Sequence, residues 1–241
     1  MSRASRPSAG DTCKTDSQAS GEIILIDKPA NCSSARAVNL IKKKLRVGKA
    51  GHSGTLDPMA TGLLIVCTGR TTKLLSSLIS SDKQYEGIMI LGASTRSYDA
   101  ESKIVESKPI KGISYSNILK AADFFMGEIE QLPPMFSAIK YKGKPLYKYA
   151  RKGEEVERKA RKVRIDEFKI LSVELPEISF RISCSKGTYI RSLVHDFGQL
   201  LGVGAYLKEL RRTRIGEYSI KEAIPLDDFL KTDSNLLHEC L

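Results

Sequence analysis

Five apolar residues in succession, Leu63-Leu64-Ile65-Val66-Cys67, follow a loop built mostly of small side chains, Gly51-His52-Ser53-Gly54-Thr55-Leu56-Asp57-Pro58-Met59-Ala60-Thr61-Gly62. The apolar run is strand-length and reads as a buried strand that other elements must cover. Glycines at 51, 54 and 62 admit backbone geometries that other residues resist, so a ligand or a second chain can come close. Pro58 fixes its own φ, removes a donor and pushes Asp57 toward an extended conformation. One acid is thereby held at the mouth of a buried strand, a position that suits a nucleophile or a base. The same residues also suit a plain polar turn in which Asp57 caps a backbone amide. The loop alone leaves both readings open.

With 241 residues, 41% of them hydrophobic, the chain can bury a sizeable core. No apolar run approaches the roughly 20 residues that span a bilayer, so no membrane segment is expected. A net charge of +11 favours a polyanionic partner, nucleic acid first. That charge is a patch, because residues 140–164 hold eleven Lys or Arg against three Glu. The five cysteines, at 13, 32, 67, 184 and 240, show no C-x-x-C spacing, and free thiols in a reducing cytoplasm are the natural expectation. The three histidines, at 52, 195 and 238, form no ligand pair, so no dedicated metal site is expected. Residues 1–20 are polar and small and read as a disordered tail. Asp11 and Asp16 argue against a transit peptide there.

Strands are expected at residues 22–27, at the run after Asp57, and at 84–92, 163–173 and 178–184. The last alternates, with Ile178, Phe180, Ile182 and Cys184 on one face. Helices are expected after Ser33-Ser34 (Val38, Ile41 and Leu45 inward), over 71–78 with Thr71 or Thr72 as cap, over 116–125, and over 188–201 with Gly202 as its stop. Helices interspersed among strands without a strict βαβ rhythm predict an α+β fold with a mostly antiparallel sheet. No internal repeat and no linker after residue 21 divides the chain, so residues 21–241 are expected to form one domain with a basic insertion at about 127–162.

Gly51-His52-Ser53-Gly54-Thr55 misses a nucleophile elbow at its last position and lacks the lysine of a phosphate loop. A lone Gly-x-x-Gly is also the clamp of some RNA-binding domains. What remains is one rigid acid in a basic protein, with three groups that could serve it. Tyr85 could stack on a base, Arg191 could pair with a carboxylate and lower its pKa, and His52 could fill space left by an extruded nucleotide. Each also has a plain reading: an edge aromatic, a solvated helix charge, a turn residue.

The loop at 51–62 resembles the catalytic motif of the TruB family, the tRNA pseudouridine(55) synthases. Asp27-Lys28-Pro29, Ser81-Asp82-Lys83-Gln84-Tyr85, Pro134-Met135-Phe136-Ser137-Ala138-Ile139-Lys140, Cys184-Ser185-Lys186-Gly187-Thr188-Tyr189-Ile190-Arg191 and Leu210-Arg211-Arg212 fall in that family's order. The resemblance covers residues 21–230 or so and implies a pseudouridine-synthase fold, a mixed sheet flanked by helices. It implies that Asp57 is the catalytic carboxylate, that Tyr85 stacks on the flipped uracil, that Arg191 pairs with Asp57 and that Leu210 packs against the base. His52 would sit where extruded nucleotides leave room, with Lys28, Tyr189 and Lys186 in the surrounding shell. It further implies the T-arm of tRNA as partner, no cofactor, no obligatory protein partner and a monomer, with the insertion folding against RNA. Glu101-Ser102 stands where the family turns through glycine, and only a local loop change is expected. The chain lacks room for a full C-terminal RNA-binding module of the PUA kind, which predicts more salt-sensitive binding. An RNA-binding protein without catalysis and a guide-RNA-dependent relative acting on ribosomal RNA are the alternatives.

Overall fold

The computed structural model describes residues 21–232. The tail expected over 1–20 lies outside the described residues, as do Cys13, His238 and Cys240. Strand β1 (Ile23–Lys28) leads into helix α1 (Ser34–Leu45), which opens with the Ser33 side chain accepting from the Arg36 N–H and buries Ala37, Val38 and Ile41. A short strand that sequence patterning does not announce, β2 (Ala50–His52), places His52 at a strand end. The apolar run becomes β3 (Thr61–Thr68). It is covered on both faces: Leu64 and Val66 pack with α1, while Leu63, Ile65 and Cys67 meet Leu78 and Ile215.

The helix expected over 71–78 is divided into a 3-10 turn, Gly69–Leu74, and helix α2 (Leu75–Ser80). Neither Thr71 nor Thr72 caps it, because both hydroxyls donate backwards, to Glu22 and Thr68 carbonyls and to the Gly69 carbonyl respectively. Strand β4 (Lys83–Leu91) precedes a small hairpin of β5 (Ala93–Thr95) and β6 (Ile104–Ser107). Ser114 and Asn117 cap each other at the start of α3 (Tyr115–Phe124), and β7 (Gly127–Gln131) follows. The basic segment holds only the short β8 (Lys140–Tyr141), β9 (Lys144–Pro145) and α4 (Leu146–Ala150). Then come β10 (Arg161–Glu174), β11 (Glu177–Cys184), α5 (Ile190–Leu200), β12 (Ala205–Ile215), β13 (Tyr218–Ser219), β14 (Ile224–Pro225) and α6 (Leu226–Lys231).

The main sheet runs β14-β1-β3-β12-β4-β11-β10-β7, with β13 on β12 and β2 on β3. Only β1–β14 and β3–β12 pair in parallel, so the sheet is mixed and mostly antiparallel, as expected. Ile178, Phe180 and Ile182 are fully buried, and Cys184 almost so, beneath Ile190, Leu193, Val194 and Phe197 of α5. Each large side chain buried there contributes about 1.5–3 kcal/mol, which fixes α5 on the sheet and with it the position of Arg191. Strand β12, unanticipated, lies at the sheet's centre between β3 and β4.

Candidate active site

Asp57 stands in the loop between β2 and β3, and that loop is fixed from three directions. Ser34 Oγ accepts from the Leu56 N–H at 2.8 Å and donates back to the Leu56 carbonyl at 3.1 Å. The fully buried Lys28 ammonium donates to the Pro29, Cys32 and Pro58 carbonyls, the last at 3.5 Å. From β12, Arg212 donates through Nη2 to the Gly54 carbonyl at 3.1 Å and through Nε to the Leu63 carbonyl at 2.8 Å. Gly54 and Gly62 have φ of +128° and +101°, and a Cβ at position 62 would lie 2.3 Å from the Arg212 carbonyl oxygen. Glycine is required where β12 passes this closely.

Arg191, near the start of α5, meets the Asp57 carboxylate with Nε at 2.9 Å from Oδ2 and Nη2 donating to Oδ1 at 3.1 Å. The remaining donors reach the Ser97 and Phe136 carbonyls, and Nη1 stands 3.3 Å from Asp99 Oδ2. The guanidinium is thus oriented by two carboxylates and two backbone carbonyls, which fixes a fork that a lysine could not fill. Arg191 is only 5% exposed, whereas the Asp57 side chain keeps 34% of its surface open to the cavity. Burial raises the Asp57 carboxyl above the usual carboxylate range, against the attraction of Arg191 and with the Asp99 charge adding to the rise. This corrects the expectation of a lowered pKa. Arg191 opposes the shift, and the desolvation of a site ringed by protein outweighs it.

The cavity above this pair is about 950 Å³ and is large enough for a nucleotide. His52, Asp57, Tyr85, Tyr189, Arg191 and Leu210 all line it. Lys28 does not; it lies beneath the Asp57 loop and holds it. Tyr85 is no edge aromatic: β4 sits between β12 and β11, pairing Tyr85 with Arg212 on one side and Ile182 on the other. Burial raises its phenol pKa, partly offset by Arg212. His52 Nδ1 accepts from the Gly54 N–H at 3.3 Å, and burial with the nearby Arg212 charge lowers its pKa, so it is neutral at pH 7. Tyr189 precedes α5 and exchanges two hydrogen bonds with Gln131, while the Arg161 guanidinium lies 4.9 Å from its ring centre. Lys186 reaches the Ser80 hydroxyl at 3.4 Å, outside the cavity wall.

Five further charged residues line the cavity to which sequence reasoning gave no role: Lys83, Asp99, Arg151, Arg161 and Arg212. The Lys83 ammonium is capped by the Leu78, Ile79 and Ser81 carbonyls, and burial lowers its pKa to about 8. Residues 101 and 102 stand at the cavity. The Glu101 N–H donates to Asp99 Oδ1, and the Ser102 hydroxyl accepts from the Ser97 N–H. Among the described residues no group of three His, Cys, Asp or Glu could hold a metal ion, and no helix is long and apolar enough to cross a membrane.

The arrangement is an oriented carboxylate at the base of a cavity with aromatic, aliphatic and cationic walls. The N-terminal domain of TruB family pseudouridylate synthases matches residues 42–190, and the tRNA pseudouridylate synthase B C-terminal domain matches residues 191–241. The boundary between the two falls inside α5, and β12 from the second inserts between β3 and β4 from the first. A tRNA pseudouridine synthase B of Flavobacterium johnsoniae is 50% identical over 216 residues, 87% of this chain and 94% of that protein. One from Chloroherpeton thalassium is 47% identical over 88% of this chain and 90% of its own. The solved Cbf5-Nop10-Gar1 complex contains a chain that is 33% identical with a TM-score of 0.68, matching 86% of this chain. This chain spans about half (53%) of the length of that one. A matching family domain across most of the chain, with full-length relatives near one-half identity, places this protein in the TruB family of pseudouridylate synthases.

Proposed function

We propose that the chain is a tRNA pseudouridine synthase that isomerises a T-loop uridine, position 55, without a cofactor. The observation that carries this reading is the Asp57–Arg191 pair, held at the base of a cavity of nucleotide size. Extruding a base from a folded loop costs a few kcal/mol, which stacking and apolar contact in the pocket offset. Tyr85 supplies the aromatic face and Leu210 the apolar one, while neutral His52 occupies the space that the extruded nucleotide leaves in the RNA.

The ionised Asp57 carboxylate acts as nucleophile on the uridine. The N1–C1′ bond breaks, the uracil turns, and C5 bonds to C1′. C5 loses its proton and N1 gains one, so the product is an isomer of the substrate and no oxidant or reductant takes part. Arg191 holds the carboxylate and favours its charged form in a partly dry site. Tyr189 and Arg161 form the wall toward the basic segment, and Lys28 supports the loop from below. Residues 21–241 act as one catalytic unit with a basic insertion at about 127–162 that contacts RNA phosphates. It works as a monomer in the cytoplasm, with no obligatory protein partner.

Pseudouridine formation on an unmodified tRNA transcript tests the reading, with wild type compared to Asp57→Ala and the modified position mapped. Isomerisation of one T-loop uridine by wild type alone is the expected result. Tight binding without isomerisation would point to a binding protein. Activity that appears only with an added RNA or protein would point to a guided enzyme.

A further inference from the structure

Arg191 is held by its own helix on one side and by the turn after β5 on the other. At the centre of that turn Tyr98 has a φ of +65°. A bulky side chain is uncommon in this left-handed region, which glycine or asparagine enters with less strain. The conformation brings two acceptors to one nitrogen. The Ser97 carbonyl accepts from Arg191 Nη1 at 3.1 Å, and Asp99 Oδ2 lies 3.3 Å from the same atom. Backbone geometry alone gives no reason for a tyrosine between them.

The tyrosine ring lies on His195. The ring centres are 3.9 Å apart and the planes 13° from parallel. His195 follows Arg191 by four residues on α5, so both side chains leave the same face of the helix. Among the described residues the buried His195 Nδ1 has no hydrogen-bond partner, and burial lowers the pKa of the imidazole, which keeps it neutral at pH 7. A ring that gains no hydrogen bond through that nitrogen contributes through its face. Neither Tyr98 nor His195 lines the cavity.

We propose that the Tyr98–His195 stack is a positioning device for Arg191, clamping the turn that carries Ser97 and Asp99 to α5 one helical turn beyond the guanidinium. The inference rests on the reading of Asp57 as the reacting carboxylate. Backbone bonds already tie the turn to β12, since the Leu207 N–H donates to the Tyr98 carbonyl and the Ala100 N–H to the Leu207 carbonyl, each at 3.0 Å. Those bonds fix the turn on the sheet and leave its relation to α5 to side chains. Among the described residues, every hydrogen bond or ion pair between residues 95–102 and α5 is made by Arg191 itself. Without the stack the guanidinium would have to hold the turn and be aimed by it at once. With the stack, the spacing of turn and helix is set independently. The fork that meets Asp57 at 2.9 and 3.1 Å is then aimed before a substrate arrives.

Three variants test this. Tyr98→Asn removes the ring and keeps a residue that tolerates the backbone, Tyr98→Phe keeps the ring, and His195→Ala removes the other half of the stack. Steady-state kinetics on tRNA are one readout, and titration of the Asp57 carboxyl by carbon NMR, without substrate, is the other. Tyr98→Asn and His195→Ala should each lower kcat about tenfold to a hundredfold at nearly constant KM, as a small misplacement of a catalytic group does. Both should also move the Asp57 titration to higher pH, because the cation that opposes its raised pKa is less well aimed. Tyr98→Phe should keep at least about half of the wild-type kcat, with the titration unmoved. The two rings act as one unit, so the double variant should lose no more than about twofold beyond the worse single one, where independent effects would multiply. Wild-type kcat and titration in Tyr98→Asn overturn the proposal, whatever happens to the thermal midpoint. So do a fall in kcat with an unmoved titration, equal losses in Tyr98→Phe and Tyr98→Asn, and multiplied losses in the double variant. The titration needs no turnover, so a wild type that does not isomerise tRNA would refute the catalytic reading and leave the stack judged by its own result.

Discussion

The base of the cavity and the basic insertion are both polar and, in the proposed function, both face the substrate, yet they are built in opposite ways. At the base, Lys28, Asp99, Arg191 and Arg212 are all buried; the three cations meet carboxylates or backbone carbonyls, and the Asp99 carboxylate meets Arg191, the Ser97 hydroxyl and the Glu101 N–H. The insertion places Lys140, Lys144 and Lys148 on two two-residue strands and a five-residue helix and Lys142, Arg151, Lys152, Arg158 and Lys159 in the turns and loop around them, attached through contacts such as the buried Leu146 and the bond from Arg158 to the Pro133 carbonyl. Groups that act on one bond must be held within fractions of an ångström, and buried side chains tied to one another and to the backbone achieve that. Groups that follow a phosphate backbone need charge and reach more than fixed geometry. The first region should therefore control kcat and the second KM.

The strongest challenge to this division is Arg191→Lys. An ammonium keeps the charge and loses the fork that spans Asp57, Asp99 and the Ser97 and Phe136 carbonyls. A fall in kcat of about 10²–10³ is expected, comparable to the loss of one preorganised donor at a reacting centre, with KM little changed. The pH profile should move as well. Asp57 must be ionised to attack, and its pKa is already raised by burial, so wild-type activity falls as the pH drops through that raised value. Loosening the guanidinium removes part of the force that opposes the rise, which shifts the acidic limb to higher pH. A loss of activity with an unmoved limb would make Arg191 a packing residue only.

A smaller effect is expected from the insertion. Changing Lys140, Lys142, Lys144 and Lys148 to Gln together should raise KM about tenfold and leave kcat unchanged, because these side chains lie outside the cavity wall. The thermal midpoint should move by no more than about 2 °C, as expected for surface changes away from packed groups. Equal losses in kcat for this variant and Arg191→Lys would erase the distinction between the two regions.

What the sequence disclosed follows the same physical line. Strand β11 was legible because the two bulges in its ladder with β10 lie on β10, so that its own inward residues alternate without interruption. Strand β12 was not. Its buried positions are Ala205, Leu207, Leu210, Arg212 and Ile215, spaced two, three, two and three residues apart. The register shifts between Leu207 and Glu209 and again between Arg212 and Arg214 produce that spacing, which fits neither a strand nor a helix period. One of its inward residues is an arginine, which no hydrophobic pattern selects. The Asp57–Arg191 pair could be anticipated from the motifs that carry the two residues. Asp99 could not be anticipated from local pattern, since its partner lies on α5, more than ninety positions away. The sign of the Asp57 shift was also illegible, because desolvation depends on the whole surrounding fold.

The smallest effect separates the base of the cavity from the helix that supports it. Asp196 lies on α5, five residues after Arg191, and burial alone raises its pKa to about 6. A carboxyl with a raised pKa binds more protons in the folded state than in the unfolded one. Its contribution to stability is therefore lost as the pH rises from about 4 to about 6 and stays lost above that range. The full shift would correspond to about 3 kcal/mol, and since Asp196 is only half-buried, solvent screening leaves about 1–2 kcal/mol. Asp196→Asn should raise the thermal midpoint by roughly 2–6 °C at pH 7.5 and leave it unchanged near pH 4. Its neighbour His195 has its pKa lowered by burial, so its own contribution declines as the pH falls below about 6.5, opposite in sign. For that reason the difference between wild type and variant, followed across pH, isolates Asp196 where the wild-type curve alone would not. Unchanged kcat and KM at pH 7.5 in the stabilised variant would show that rigidity at the base of the cavity is set by the Arg191 contacts and not by the stability of α5. A fall in kcat would mean that the strain of a buried charge on α5 is used by the site.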